Sequence, residues 1–477
     1  MPTFQKTLMK NQTSKILMLG IGIIMFPSCH LQTKLYQKAF DSDSLASVFD
    51  SSFKKGILDV WYPRMIDSVD GGYFTNATFD WKIMDKQPKM LVTQSRQVWT
   101  SSQAALFYND STYTKYARHG FEFLTKHMWD KTYGGFFNIR SRKGDYTAEM
   151  YGNNKMAYGN VYAIYGLASY YKLTNDTVAL QYAKKTFLWL EKHSHDKVYG
   201  GYIDAMAQDG TWLTVAGTGS KLPGAASGAW KDYNSSIHLL EAFTELYKVW
   251  PDPLVRTRLQ EMFLLVRDTF VNRKGYLNLN FTENWKLITN RDSTEEVIRR
   301  RSGIDHISFG HDVETSFLLL EASYALGIKN DTTTLSIAKK LVDHALANGF
   351  DRTSGGFYNE GYYFPGSDTI TILSKNAQWW GQAEGLNALL MMSKIFPDEK
   401  KYSESFLKVW SYIDHYIIDK KQGEWYIDGS NYNPAVVNAP KASVWKANYH
   451  NGRALMNCIR MLKNENEVVE HFSKVKL

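Results

Sequence analysis

Three stretches far apart in the chain each combine a histidine with other polar groups at helical spacing. Asn234, His238 and Glu241 lie in NSSIHLLE, His311 and Glu314 in GHDVE, and His450 and Arg453 in YHNGR. Residues three and four apart share one face of a helix. Imidazole and carboxylate therefore lie along a stripe where a buried helix normally carries apolar side chains. One such histidine alone is commonly a core residue held by its glutamate. Three facing one cavity would supply several groups that titrate near neutral pH, which suits moving protons on a small polar substrate. Arg96, in SRQVW with Trp99 three residues on, is costly to bury without an anion. It fits either a structural ion pair or an oxyanion formed during a reaction. Trp379, Trp380 and Glu384 sit on a further stretch of this kind. Adjacent tryptophans cannot both face one cavity, so one belongs to the core, and Trp380 could stack on a sugar ring.

Other chemistries compete for these residues. Clustered His and Glu suggest zinc, but no HExxH is present and the histidines are spread over three segments; a three-histidine site stays geometrically conceivable. A glycoside hydrolase needs two carboxylates across a cleft, for which Glu241, Glu314 and Glu384 are candidates, but it has no need of three histidines. No glycine-rich phosphate loop stands between a strand and a helix. Neither a metal nor a nucleotide cofactor is expected.

These stripes need elements to position them. An Asp or Asn followed by glycine and an aromatic recurs as Asp70-Gly71-Gly72-Tyr73, Asp130 with Gly134-Gly135-Phe136, and Asp196 with Gly200-Gly201-Tyr202. It returns as Asn272 with Gly275-Tyr276, Asp351 with Gly355-Gly356-Phe357, and Asp419 with Gly423 and Trp425. The first glycines of these six copies are 63 to 80 residues apart. Each copy is a turn signal, with glycine taking positive φ. Between copies lie paired amphipathic stretches: 157–172 with 178–192, 234–249 with 254–270, 311–326 with 334–347, and 378–395 with 402–417. Their apolar residues recur at i, i+3, i+4 and i+7, and capping residues precede several of them. Helical hairpins at this period form an open solenoid or a closed ring. The polar groups fall on one helix of each pair, and neither end carries the polar capping repeat of a solenoid. The expected fold is all-α, an (α/α)6 barrel built from six helical hairpins. Two long segments, Thr218 to Trp230 and Phe281 to Gly310, lead into polar helices and are expected to shape one mouth of the barrel.

Length alone would suggest about three domains, but the repeat spans the chain. Aromatic residues make up 14% of it, enough to fill a large core or to line a sugar-binding cleft. The net charge is +8, of which Lys6, Lys10 and Lys15 supply three. The only compact basic run is Arg299-Arg300-Arg301, and without a basic stripe interleaved with aromatics no nucleic-acid partner is expected. After Lys15, an apolar run of 11 residues from Ile16 to Phe26 is too short to span a bilayer. It ends in Phe-Pro-Ser-Cys, which resembles a bacterial lipoprotein processing site. Residues 1–28 are expected to be a signal peptide, Cys29 a lipid anchor, 29–44 a linker, 45–465 the barrel and 466–477 a tail. The expected location is a bacterial envelope, with membrane contact only through the lipid. The one other cysteine is Cys458, so a lipidated Cys29 leaves no intramolecular disulfide.

SRQVW, GNVYAIYGLASYY, NSSIHLLEAFTELYKVWPDP, GHDVETSFLLLEA, WWGQAE and YHNGR, in that order, resemble the N-acylglucosamine 2-epimerase superfamily, in particular its cellobiose and mannobiose 2-epimerases. The resemblance runs from about residue 45 to 465. It implies an (α/α)6 barrel that interconverts the glucose and mannose configurations at carbon 2 of a reducing-end sugar, here an oligosaccharide or disaccharide, without a cofactor. It further implies that His238 assists ring opening and that His311 and His450 exchange the proton on carbon 2. Arg96 would hold the enediolate oxygens, and Asn234 and Glu314 would position hydroxyls and histidines. Trp380 and Glu384 would bind the sugar. Phe317, where the disaccharide enzymes tend to carry Trp, and Asn160, where Gln is more usual, are carried over as substrate-binding positions. An aldose–ketose isomerase, a glycoside hydrolase and an inactive carbohydrate-binding lipoprotein are the alternatives.

Overall fold

A computed structural model describes residues 41–149, 152–213 and 231–477. The expected signal peptide, Cys29, most of the linker and the segment Thr218 to Trp230 lie outside the described residues. Among the described residues fourteen α-helices longer than one turn carry the fold: α1 (Ser42–Phe53), α2 (Leu91–Tyr108), α3 (Ser111–Phe123), α4 (Ala157–Thr174), α5 (Thr177–His193), α6 (Tyr233–Val249), α7 (Pro253–Leu265), α8 (Glu295–Arg300), α9 (Phe309–Ala325), α10 (Thr332–Asn348), α11 (Trp379–Ile395), α12 (Lys400–Tyr412), α13 (Tyr449–Leu462) and α14 (Glu467–Phe472). Helix α2 packs on α4, α4 on α6, α6 on α9, α9 on α11, α11 on α13, and α13 back on α2. That closed inner ring is the expected barrel. Helices α3, α5, α7, α10 and α12 back the inner helices that precede them, and α1 backs α13. The last hairpin is thus assembled from segments far apart in sequence.

Local chemistry marks the corners. Asn109, Asn175 and Asn330 adopt left-handed backbone at φ of 51°, 56° and 52°, and the aspartate after each one caps the next outer helix. Asp110, Asp176 and Asp331 accept the backbone N–H of Thr112, Val178 and Thr334. Between the rings the core is aromatic and aliphatic. Phe243 of α6 is fully buried and meets Phe187 of α5 edge-on at 5.2 Å; truncating it to Ala would cost about 3–5 kcal/mol.

The six turns are real and share one geometry: the Asp or Asn backbone bonds across the turn to the glycine segment, as when Asp130 N–H donates to Gly135 at 2.9 Å and Gly134 N–H returns to Asp130 at 2.9 Å. In the first copy the structure assigns this position to Asp67, not Asp70, because Gly71 N–H bonds to Asp67 O. Four of the turn aspartates pair with a lysine buried at the mouth: Asp67 with Lys89 (3.0 Å), Asp130 with Lys155 (2.8 Å), Asp196 with Lys231 (2.7 Å) and Asp419 with Lys441 (2.6 Å). Lys155 and Lys231 also donate to the carbonyls of Gly134 and Gly200, which satisfies protons that burial would otherwise strand. In the fourth repeat Asn272 replaces the aspartate and Ile307 stands where the lysine would be, so both charges are absent together.

A second repeated device ties turn to helix. The fourth residue of an inner helix clamps the backbone of a turn aromatic: Gln94 Oε1 accepts Tyr73 N–H at 2.8 Å, and Gln382 Oε1 accepts Phe357 N–H at 2.8 Å. Asn160 does the same for Phe136, accepting its N–H at 2.8 Å and donating to its carbonyl at 3.2 Å. Asn160 is therefore no substrate-binding residue; both ends of its amide are spent on the fold. Asp312 occupies this place on α9, accepting Leu277 N–H at 2.9 Å.

Short antiparallel pairs, such as Lys155-Met156 with Ala205-Met206, stitch the segments before the inner helices into one rim. The excursion between Phe281 and Gly310 carries α8, and Asp305 gathers Thr289, Asn290 and Tyr362 at 2.5 to 2.9 Å. Two expected boundaries shift. The barrel begins at Ser42 with α1, and residues 466–477 are not a free tail, because α14 packs on α9 and α11 with Phe472 fully buried. Among the described residues no helix is long and apolar enough to cross a membrane.

Candidate active site

One level of the barrel carries a ring of polar side chains. The sixth residue of α2, α4, α6, α9 and α11 is Arg96, Tyr162, His238, Glu314 and Glu384, and Arg453 on α13 completes the ring. All are buried, and they bond to one another. Arg96 Nη2 donates to the Tyr162 hydroxyl at 2.7 Å, and that hydroxyl lies 3.2 Å from His238 Nε2. His238 Nδ1 is 2.9 Å from Glu241 Oε2. Arg453 Nη1 bonds to Glu241 Oε1, and its Nη2 reaches Glu314 Oε1 at 2.5 Å and Glu384 Oε1 at 2.8 Å. One guanidinium thus gathers three carboxylates from three helices.

Nearer the mouth stand the other two expected histidines. His450 Nδ1 lies 2.6 Å from Glu384 Oε1. His311 Nδ1 lies 2.7 Å from the hydroxyl of Ser308, the residue before α9. Both rings lean on Trp380, with centroids 4.4 Å away for His311 and 5.9 Å for His450. Trp380 is half-buried, while Trp379 is buried under Lys446, which settles which of the two tryptophans faces inward. Tyr158 closes the other side: its hydroxyl accepts from Arg96 at 3.1 Å and meets the Asn234 side chain.

The electrostatics favour neutral imidazoles. Burial, reinforced by His238 and Arg96 nearby, holds His311 well below the ordinary imidazole value. Burial, with Arg96 and Arg453 close by, does the same to His450. Burial alone would raise Glu241, but Arg453 and His238 outweigh it and bring the carboxyl to about 2. An ionised Glu241 accepts Nδ1–H of His238 and leaves Nε2 as the basic nitrogen. Burial and the adjacent Glu314 push Glu384 well above the carboxylate range against the pull of Arg453, and its Oε1 stands 2.6 Å from His450 Nδ1. Glu314 Oε2, Glu384 Oε2 and Arg96 Nε are buried without a protein partner and can bond to hydroxyls of a small polar molecule.

Glu314, Glu384 and His450 offer ligand atoms within 4.8 Å of one another, a spacing a metal ion could use. Arg453 already donates to both glutamates there, so this donor set suits a guanidinium. Phe317, expected to touch substrate, does not reach the opening. It lies fully buried, nearly one turn deeper on α9 than Glu314, with the Arg453 guanidinium 5.2 Å over its ring. Sequence reasoning missed Tyr158 and Tyr162, which read as core aromatics, and the hub role of Arg453. The sixth position shared along successive inner helices is the signal that finds Tyr162.

A buried ring of proton donors and acceptors beneath two neutral imidazoles is the equipment of a proton-shuttling enzyme. Three known proteins narrow it. The cellobiose 2-epimerase of Bacteroides fragilis is 28% identical over 411 residues, covering 85% of this chain and 95% of that protein. The D-mannose isomerase of Marinomonas mediterranea is 24% identical over 434 residues, covering 89% and 98%. The solved cellobiose 2-epimerase of Spirochaeta thermophila superposes with a TM-score of 0.76 at 28% identity, covering 89% and 98%. The protein is an enzyme of the carbohydrate epimerase and isomerase class. More closely, it belongs to the N-acylglucosamine 2-epimerase (GlcNAc 2-epimerase) family, whose model matches residues 72–454.

Proposed function

We propose that this enzyme epimerises carbon 2 of the reducing-end sugar of a β-1,4-linked disaccharide, cellobiose or mannobiose, through an open-chain enediolate. The observation that carries the reading is the pair of neutral imidazoles on α9 and α13 that lean on one tryptophan, with Arg96 in the ring below. His238 Nε2 takes the anomeric hydroxyl proton and returns it to the ring oxygen as the ring C–O bond breaks, giving the open-chain aldehyde. One of His311 and His450 removes the proton on carbon 2, and the electrons pass to the carbonyl oxygen. Arg96 meets the charge that forms there. The opposite face receives a proton from the other histidine, His450 drawing on the proton of Glu384 and His311 acting as its imidazolium, and ring closure reverses the first step. Glu314 and Asn234 position hydroxyls, Glu384 tunes His450, and Trp380 stacks on the sugar. Trp445, 43% exposed just before α13, offers a flat face at the mouth for the second sugar.

The relatives named as cellobiose 2-epimerases support the disaccharide. The D-mannose isomerase likeness supports a second reading, in which the enediolate is reprotonated at carbon 1 to give a ketose. Hydrolysis is disfavoured, because Glu241, Glu314 and Glu384 all converge on Arg453 rather than opposing one another across a cleft. We also place the enzyme in the bacterial envelope, anchored by lipid at Cys29; loss of membrane association in Cys29→Ser would bear this out, and its retention would refute it. The activity is tested by NMR of cellobiose or mannobiose incubated with enzyme in deuterated water. Deuterium at carbon 2 of the epimer is expected. A ketose product favours the second reading, and monosaccharides or no covalent change defeat both.

A further inference from the structure

The sixth turn departs from the others at one residue. Where four turns carry Gly72, Gly135, Gly201 and Gly356, this one carries Glu424, at φ 64° in the left-handed region that a side chain disfavours. In those four turns a Cβ would come within 3 Å of Phe123, Trp189, Trp285 or Tyr412, so only glycine fits. At Glu424 the facing segment is Gly56, whose carbonyl accepts the Glu424 N–H at 2.8 Å. The Glu424 side chain is fully buried and accepts three bonds: from Trp61 Nε1 at 2.5 Å, Asn451 Nδ2 at 2.7 Å and Lys446 Nζ at 3.0 Å. Trp61 belongs to the segment after α1. Lys446 and Asn451 stand on either side of His450. Lys446 is itself buried, donates also to Lys441 O at 3.0 Å, and lies 5.6 Å over the ring of Trp379, which meets the His450 ring edge-on at 6.4 Å.

We infer that Glu424 is a positioning residue for His450: a clasp that joins the segment after α1 to the start of α13 and fixes where that imidazole stands. It touches no reacting atom, and the claim rests on the role given to His450 in the proposed function. A strained backbone is kept where the surroundings over-determine it, and here three bonds from two distant segments do so. Were Glu424 only a filler of space, glycine, the residue of the sister turns, would relax the backbone and leave turnover alone.

The two ideas separate in Glu424→Gly and Glu424→Gln of the full chain, assayed on cellobiose and mannobiose, with the His450 ring titrated by NMR. The clasp predicts that glycine lowers kcat per folded molecule by about tenfold or more, with KM within about twofold, because a small misplacement of a reacting group is costly to rate. It also predicts a displaced His450 titration. Glutamine, which keeps the acceptor for Asn451 and Trp61 but not the charge for Lys446, should fall between. Unchanged kcat with an unmoved His450 titration in the glycine variant overturns the clasp, even if the melting temperature changes. Should the glycine variant not fold, Glu424→Gln and Lys446→Met decide by the same two readouts. If the wild type acts on neither disaccharide, the functional reading fails, while the His450 titration still tests the clasp.

Discussion

His311 and His450 stand near the start of α9 and α13, and both lean on Trp380, yet their surroundings differ. His450 Nδ1 faces the Glu384 carboxyl, whereas His311 Nδ1 faces the neutral hydroxyl of Ser308. The residue after His450 is Asn451, a neutral amide, whereas the residue after His311 is Asp312, a buried acid. A carboxyl group held toward its neutral form can hand an imidazole a proton during the reaction, and a hydroxyl cannot. In the proposed mechanism the two faces of carbon 2 are therefore served by imidazoles of unequal proton supply. His450 with Glu384 is the side that stores a proton, and His311 is the side that rests neutral.

Removing either imidazole is the largest perturbation. His311→Ala and His450→Ala should each lower epimerisation by about 10² to 10⁴-fold while circular dichroism shows an intact fold. In deuterated water each variant should still exchange carbon-2 hydrogen in one epimer only, and a different one in each. Exchange of both epimers by either variant would break the comparison. Next comes the partner of each ring. Glu384→Gln should reduce kcat by about 10 to 100-fold, whereas Ser308→Ala, which removes one neutral hydrogen bond worth about 1 kcal/mol, should cost only about fivefold. Equal losses would erase the asymmetry.

A pH profile sharpens it further. Both histidines are held below the ordinary imidazole value of 6.5, so the basic form is available at lower pH than for free imidazole. The acid limb of kcat/KM should lie below 6.5. Stability should fall over the same range, because between the folded value and 6.5 the unfolded chain binds more protons. An acid limb above 6.5 would contradict the burial of both rings. The smallest effect is expected from Asp312→Asn, which gives the His311 side the amide of the His450 side. Burial raises Asp312 well above 3.8, so its contribution is most favourable below 3.8 and is lost as pH rises toward the folded value. At neutral pH that cost is present, and removing it should raise Tm by up to about 2 °C, read by thermal scanning at pH 7 and absent at pH 3.

Much of this was legible in the sequence. Spacing alone placed His238 with Glu241 and set His311 and Glu314 on one polar helix, and the turn period gave six hairpins, because a barrel repeats its local chemistry. The helix ends agree within a few residues where Asn-Asp pairs mark them. What escaped needed contacts across the ring. Lys89, Lys155 and Lys231 look like ordinary surface cations until the fold buries them against turn aspartates. Asn160 and Phe317 sit on helices that carry site residues, and only depth along the helix tells a clamp or a floor from a lining residue. The pairing of α1 with α13 has no local signature at all.

That pairing has a consequence for synthesis on the ribosome. Among the described helices α1 emerges first and must wait, its apolar face uncovered, until α13 leaves the exit tunnel. The same late segment delivers Arg453 and His450, so three glutamate side chains stay without their shared guanidinium until then. On the proposed mechanism no partial product of translation is active, and an interrupted chain presents an open, sticky edge that cellular quality control can recognise.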